Sequence, residues 1–214
     1  MFRSSPAPSP QDLLDQVVLT AYVAEFTEWD NRTHVERIRR YTYILARETG
    51  LEHNEASLLS SAAMLHDIGK IALPASLLQK TTDLEPAEYK LAEQHTVEGA
   101  RFLSGSGSPI LQAAEVIART HHERWDGSGY PEGLRGAAMP LSGRIVALAD
   151  VFDALTTRRS YKTAIKPEAA IELINSSSGT LFDPTLVSIL VEKFEDFKSV
   201  LRMTDETAGD MRKK

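Results

Sequence analysis

The sequence predicts an all-α protein. Apolar residues recur at three- and four-residue steps along most of the chain, proline and glycine fall where helices start and stop, and no stretch alternates as a strand would. There is no internal repeat.

The elements follow in order. Residues 1–10 contain SSPAPSP, a Pro/Ser run that reads as a disordered leader. Residues 11–203 are expected to form one domain, beginning with a helix over 11–29 in which Leu13, Leu14, Val17, Val18, Ala21 and Tyr22 share a face. That first helix could be an accessory element: a packing helix, a dimerisation element or the end of a signalling helix. A second helix is expected from Asn31 to Thr49, with Ile38, Tyr41 and Leu45 inward, Arg37, Arg39, Arg40 and Arg47 largely elsewhere, and Gly50 beyond its end. A third should start at Asn54 and run to Ile68, stopped by Gly69. Pro74 opens a short turn, Pro86 a long helix to Leu103, and Ser108-Pro109 an N-cap and first-position pair for a helix ending around His122. Glu123 to Pro140 then holds four Gly and two Pro, a long loop of the kind usually kept for function. Helix resumes over Ser142–Thr157, after Pro167, and after Asp183-Pro184; residues 204–214 are a polar tail expected to fray.

Composition narrows the chemistry. The 214 residues are 42% hydrophobic and 25% charged, ordinary for a globular domain. Cysteine is absent, which excludes disulfides, thiolate metal sites and a cysteine nucleophile. A net charge of −6 argues against duplex nucleic acid as partner. No stretch approaches the roughly 18 apolar residues of a membrane span, so membrane insertion is not expected and a cytoplasmic location is.

Function shows where polar residues interrupt apolar helix faces. His34 shares a stripe with Ile38, Tyr41 and Leu45; His66 follows Leu58 and Ala62; Asp67 follows Leu59 and Ala63. His95 and His121 lie among apolar neighbours, and Asp150 and Asp153 are the charges in IVALADVFDAL. A single inward histidine is commonly a hydrogen-bonded core residue. At least two carboxylates and four histidines pointing inward from five helices is another matter, because burying an uncompensated carboxylate costs several kcal/mol. A shared cation removes that cost, and imidazole with carboxylate suits iron, manganese or zinc. Neighbours such as His66-Asp67 and His121-His122 diverge by about 100° on a helix, so each pair could serve more than one ion. His53, in the polar stretch LEHNE, reads as a surface residue.

Together HDIGK at 66–70 and HHERWDGSGYP at 121–131 resemble the HD-GYP group of the HD superfamily of metal-dependent phosphohydrolases. RIVALADVFDALT from Arg144, RRSYK from Arg158 and GTLFDP from Gly179 also match, and the likeness spans roughly Thr27 to Leu190. The resemblance implies a helical bundle with a five-helix HD core plus additional C-terminal helices. It implies hydrolysis of the bacterial signalling molecule cyclic di-GMP to pGpG and then to GMP, with two or three divalent ions, commonly iron or manganese. Its metal ligands would be His34, His66, Asp67, His95, His121, His122 and Asp150, with Asp67 bridging. Where three-metal members carry Glu, this chain has Asp30, one methylene shorter, which is a ligand or the N-cap of the following helix. Lys70 matches a lysine near the scissile phosphate, its plain alternative being a lysine complementing a helix C-terminus. Tyr130, Arg159 and Lys162 match nucleotide-contacting positions; alternatively Tyr130, Trp125 and Asp126 only shape the loop and Arg158, Arg159 and Lys162 form a solvated patch. Asp153 fits a supporting role, orienting a ligand imidazole or Lys70.

Two rival readings stand beside the phosphodiesterase. One is a cyclic-dinucleotide sensor that binds without cleaving and acts through a signalling partner. The other is a phosphodiesterase for a different cyclic dinucleotide. A homodimer is possible through the 11–29 helix.

Overall fold

The structure, a computed structural model, describes residues 31–157 and 163–211, with side chains over 33–157 and 163–204. The expected helix over 11–29, the leader, and Asp30, Arg158, Arg159 and Lys162 lie outside the described residues. Within them the protein is all-α, with isolated bridges only at Asp126–Arg135 and Ser178–Phe182. Helix α1 is Asn31–Glu48, α2 His53–Ala63, α3 Ala75–Leu78, α4 Pro86–Leu103, α5 Pro109–Thr120, α6 Leu141–Thr156, α7 Pro167–Ser176, α8 Pro184–Glu192 and α9 Phe194–Met211. Short 3-10 segments cover Ile68–Ala72 and Gly136–Ala138. None of these helices is long and apolar enough to cross a membrane.

Helix starts follow local chemistry. Pro86, Pro109, Pro167 and Pro184 each occupy a first-turn position, where a missing N–H costs nothing. Asp183 caps α8 by accepting from the Thr185 amide at 2.9 Å, and it also accepts from Arg144 at 2.6 Å, tying α6 to α8. The N-cap of α2 is Glu52 rather than Asn54. Its amide donates to the Glu55 carboxylate at 3.0 Å, and the Glu85 amide repeats the arrangement with Glu88 at 2.7 Å. Helix α9 continues to Met211, into the stretch read as a fraying tail.

The core is arranged around α1. Val35, Ile38, Tyr41 and Leu45 are fully buried, and the Tyr41 ring stacks on Phe197 of α9 at 4.5 Å and meets Phe152 of α6 edge-on at 5.4 Å. Helix α1 packs against α2, α6 and α9, while α5 packs against α2, α4 and α6. This second group brings α4, α5 and the coil after α2 to the same end of the molecule as the first turn of α1.

The third helix departs most from expectation: α2 ends at Ala63, not Ile68. Beyond it the amides of Leu65, His66, Ile68 and Lys70 donate to carbonyls three residues back, at 3.0, 3.2, 3.1 and 2.9 Å. The winding tightens toward three residues per turn. Gly69 sets the reason. A Cβ there would lie 1.9 Å from the His95 carbonyl oxygen and 2.4 Å from the Gly99 nitrogen, so its backbone rests directly on that of α4. A four-residue ladder through Ala62 and Ala63 therefore does not describe how His66 and Asp67 point.

Candidate metal centre

His34 projects from the first turn of α1, and His95 and Asp150 from the interiors of α4 and α6, whereas His66 and Asp67 come from the tight coil after α2, His121 is the C-cap of α5 and His122 follows it in a turn. The expectation of five contributing helices is thus corrected to two helix interiors, one helix first turn and two segments at helix C-terminal ends. Chain ends supply sharper changes of direction than helix interiors allow.

These residues gather in two adjoining clusters. Asp67, His95, His121 and His122 form one; His34, His66 and Asp150 form the other; within each, one atom per residue lies within 4.8 Å of all the rest. The two carboxylate oxygens of Asp67 face different ways. Oδ1 is 3.3 Å from His95 Nε2 and 3.5 Å from His121 Nε2, while Oδ2 is 3.2 Å from His66 Nε2 in the other cluster. His34 Nε2 and Asp150 Oδ1 are 4.0 Å apart. The neighbouring pair His121-His122 does not divide between the clusters as the helical angle suggested; both belong to the first.

Four of the imidazoles are locked in one orientation. Nδ1 of His66 donates to the Ala63 carbonyl at 3.0 Å, that of His95 to Ala92 at 2.6 Å, and that of His121 to Ile117 and Ala118 at 3.0 and 3.1 Å. Carbonyls only accept, so Nδ1 carries the hydrogen and Nε2 is the bare lone pair of the neutral ring. In His34 the Asp153 carboxylate takes the carbonyl's place, accepting from Nδ1 at 2.8 Å. The result fits a cation well. His95 and His121 present lone pairs 3.4 Å apart toward the same buried carboxylate oxygen, an arrangement that is repulsive until a positive charge occupies its focus.

Local electrostatics keep the donors in their ligating forms. Burial would raise the Asp67 carboxyl, but the Lys70 ammonium holds it well below the usual carboxylate range. Lys70 Nζ is 2.6 Å from Asp67 Oδ2, because residues three apart eclipse in a 3-10 turn. Burial lowers His95 to about 4 and pushes His122 well below its ordinary value. Burial would likewise raise Asp153, yet the His34 hydrogen bond and the Arg37 guanidinium bring it to about 2.

A pH dependence of folding follows. The metal-free protein is expected to lose stability as pH falls from about 6.5 toward 4, because an unfolded histidine takes up its proton near 6.5 while folded His95 refuses it until about 4. In that window the unfolded state binds more protons, and the loss approaches about 3 kcal/mol for His95 alone; above it this histidine contributes no slope. Urea unfolding of chelated protein at pH 7 and 4.5, with His95→Gln as control, measures it. Equal pH slopes in the two proteins would refute the assignment.

The glycine loop closes one side of the site. The Tyr130 ring stacks on His122 at 4.9 Å, and burial together with the Asp67 carboxylate raises its phenol, which keeps the hydroxyl protonated. Gly129 permits the approach: a Cβ there would lie 2.4 Å from the Arg124 nitrogen.

Two residues escaped the sequence reading. Glu123, only 2% exposed, accepts the amides of Glu132, Gly133 and Leu134 at 2.7, 3.1 and 3.0 Å and so braces the loop that carries Tyr130. Its signal was a charge beside two inward histidines. Arg37, expected to face elsewhere, is also 2% exposed and pairs with Asp153 through both carboxylate oxygens. The signal was its place three residues after His34, matching that of Asp153 after Asp150. His53 is exposed as expected, although its Nδ1 meets the Tyr43 hydroxyl at 2.8 Å.

Comparison with known proteins points the same way. The HD domain family matches residues 19–186. A cyclic di-GMP phosphodiesterase of Thermotoga maritima is 42% identical over 193 residues, 90% of this chain and 52% of that protein. A 3'3'-cGAMP-specific phosphodiesterase of Vibrio cholerae, named as the second of its kind, is 41% identical over 180 residues, 84% of this chain and 34% of the other. The chain thus spans about half or less of the length of these relatives. In fold it is similar to the crystal structure of a V. cholerae cyclic GMP-AMP specific phosphodiesterase, at TM-score 0.64 and 23% identity, covering 92% of this chain and 53% of that one. It is also similar to an HDG"Y"P protein of Bdellovibrio bacteriovorus, at TM-score 0.61 and 20% identity, covering 86% and 60%.

Proposed function

The chain belongs to the HD domain family, in the HD-GYP group whose strings it carries, and from that premise we propose that it is a metal-dependent phosphodiesterase hydrolysing cyclic di-GMP to pGpG and on to GMP. The observation that carries this reading is the pair of adjoining His/Asp clusters, joined at Asp67, whose Oδ1 faces the Nε2 atoms of His95 and His121 in one and whose Oδ2 faces His66 Nε2 in the other. One divalent ion would be held by His95, His121, His122 and Asp67, and a second by His34, His66, Asp150 and the other Asp67 oxygen. Iron or manganese suits this nitrogen and carboxylate set. Bound there, such ions supply Lewis acidity toward phosphoryl oxygens and an acidified water.

The chain's own residues do the rest. Asp67 stays ionised within a buried site, so its charge offsets that of cations without a proton being lost first. The four fixed imidazoles keep their lone pairs inward without reorganisation, which preserves the site's geometry through the reaction. Lys70, partly exposed beside Asp67, would stabilise or protonate the leaving 3′ oxygen. Tyr130, kept protonated, would donate a hydrogen bond to the substrate, and its ring, stacked on His122, would offer a flat face to a base. Arg159 and Lys162 would contact the nucleotide, and Asp30 would hold a third ion if one binds. These three assignments rest on the resemblance alone.

A second substrate has a specific argument, since the relative named for 3'3'-cGAMP is as similar to this chain as the one named for cyclic di-GMP. A chromatographic time course with protein loaded anaerobically with iron(II) or manganese(II), offered each dinucleotide separately, decides between them. Cyclic di-GMP is expected to disappear with pGpG rising and then falling as GMP accumulates. Faster loss of 3'3'-cGAMP would reassign the substrate. Tight binding without product from either would replace the enzyme by a sensor.

A further inference from the structure

We infer that Arg37 is a positioning residue for the second cluster: by fixing the carboxylate of Asp153 it fixes the ring of His34, and with it the affinity of that cluster for its ion. The inference rests on the two-ion reading above.

The argument starts from register. His34 and Arg37 are three residues apart on α1, Asp150 and Asp153 three apart on α6, and the two helices pack against each other. One turn pairs His34 with Asp150, their facing atoms 4.0 Å apart; the next pairs Arg37 with Asp153. The first pair opens onto the metal centre. The second is sealed, with Arg37 at 2% exposure and Asp153 at 0%.

His34 differs from the other locked histidines. His66, His95 and His121 find their Nδ1 acceptor in carbonyls three or four residues earlier in their own segment, so the backbone orients them. His34 depends instead on a side chain from another helix, Asp153 Oδ2 at 2.8 Å. A carboxylate can rotate, and a carbonyl in a helix cannot. The guanidinium removes that freedom, with Nε donating to Oδ1 and Nη2 to Oδ2 at 3.2 Å. Two-point contact fixes the carboxylate plane, which a lysine ammonium would not do. Fold stability alone explains the pair poorly, because a buried ion pair replaced by apolar side chains of similar volume is often neutral. Its direct readout is the direction of the His34 lone pair.

Manganese(II) binding to the whole chain, counted by equilibrium dialysis and titration calorimetry, tests this. The wild type is expected to bind two ions. Arg37→Met should weaken one of them by about 10- to 100-fold, the usual effect of losing a residue that orients a ligand, while the other dissociation constant stays within about threefold. Arg37→Lys, which keeps the charge but not the fork, should fall between, and it carries the test should Arg37→Met not fold. In a His34→Ala background the Arg37 substitution should have no further effect. Equal weakening of both ions, or an Arg37 effect that persists at full size without His34, would show a general structural role and overturn the inference. Two ions bound with unchanged affinity in both Arg37 variants would also overturn it while leaving the two-ion reading intact. A wild type that binds no manganese would remove that reading itself.

Discussion

Replacing His66 and Asp67 together by alanine is expected to abolish turnover, lowering kcat by at least about 10³-fold, and to remove the stabilisation that manganese(II) gives the wild type in a thermal melt. The two residues are adjacent in sequence yet serve different clusters. Asp67 addresses both, with Oδ1 toward His95 and His121 and Oδ2 toward His66. Its loss leaves three imidazoles with no anion between them, and the loss of His66 leaves the second cluster with His34 and Asp150 alone. A ligand that binds only the folded state stabilises it by mass action, so loss of the metal-induced shift reports on the site independently of catalysis. The variant without metal should remain folded, since the ring contacts of Tyr41 with Phe152 and Phe197 in the α1 core involve neither side chain. Turnover retained in a folded double variant would sink the phosphodiesterase assignment. Turnover lost with the manganese shift unchanged would instead move the metal centre to other residues.

The second large effect concerns a residue without a side chain. Gly69→Ala is expected to destabilise the fold by about 3 kcal/mol or more and to weaken manganese binding at the same time. The added methyl would lie 1.9 Å from the His95 carbonyl oxygen and 2.4 Å from the Gly99 nitrogen, both backbone atoms within α4. Neither can yield without disturbing that helix. The movement that relieves the clash pushes the coil bearing His66 and Asp67 away from His95, which widens the 3.3 Å separation between Asp67 Oδ1 and His95 Nε2. Gly107→Ala provides the control, because a Cβ there meets nothing within 4 Å. Urea unfolding and manganese titration of both variants measure the effect. Wild-type stability in Gly69→Ala would mean that the coil and α4 are not in backbone contact.

Much of the fold was legible because helix boundaries are written in short-range chemistry. Pro86, Ser108-Pro109 and Asp183-Pro184 mark starts that depend only on a missing amide or a local acceptor, and the structure begins helices at Pro86, Pro109 and Pro184. The candidate site was legible for a related reason. A histidine or aspartate on an apolar stripe is costly to bury alone, so His34, His66, Asp67, His95, His121 and Asp150 stood out against their neighbours, and the structure gathers them with His122 into two clusters.

What the sequence by itself determined, then, was the helical class, most helix starts and the inward-facing histidines and aspartates of the candidate site. Tertiary structure decided three things that periodicity does not carry. The end of α2 at Ala63 is dictated by the contact of Gly69 with α4, residues distant in the chain. Arg37 turns inward because Asp153 awaits it on another helix; a lone charge at that position would belong outside, and a pattern of apolar spacing records only the lone preference. The division of the donors into two groups depends on the directions of individual Nε2 and carboxylate atoms, set by hydrogen bonds that the imidazoles donate to Asp153 and to carbonyls at tight helix ends. Those partners are angular and partly non-local, and a one-dimensional pattern fixes neither.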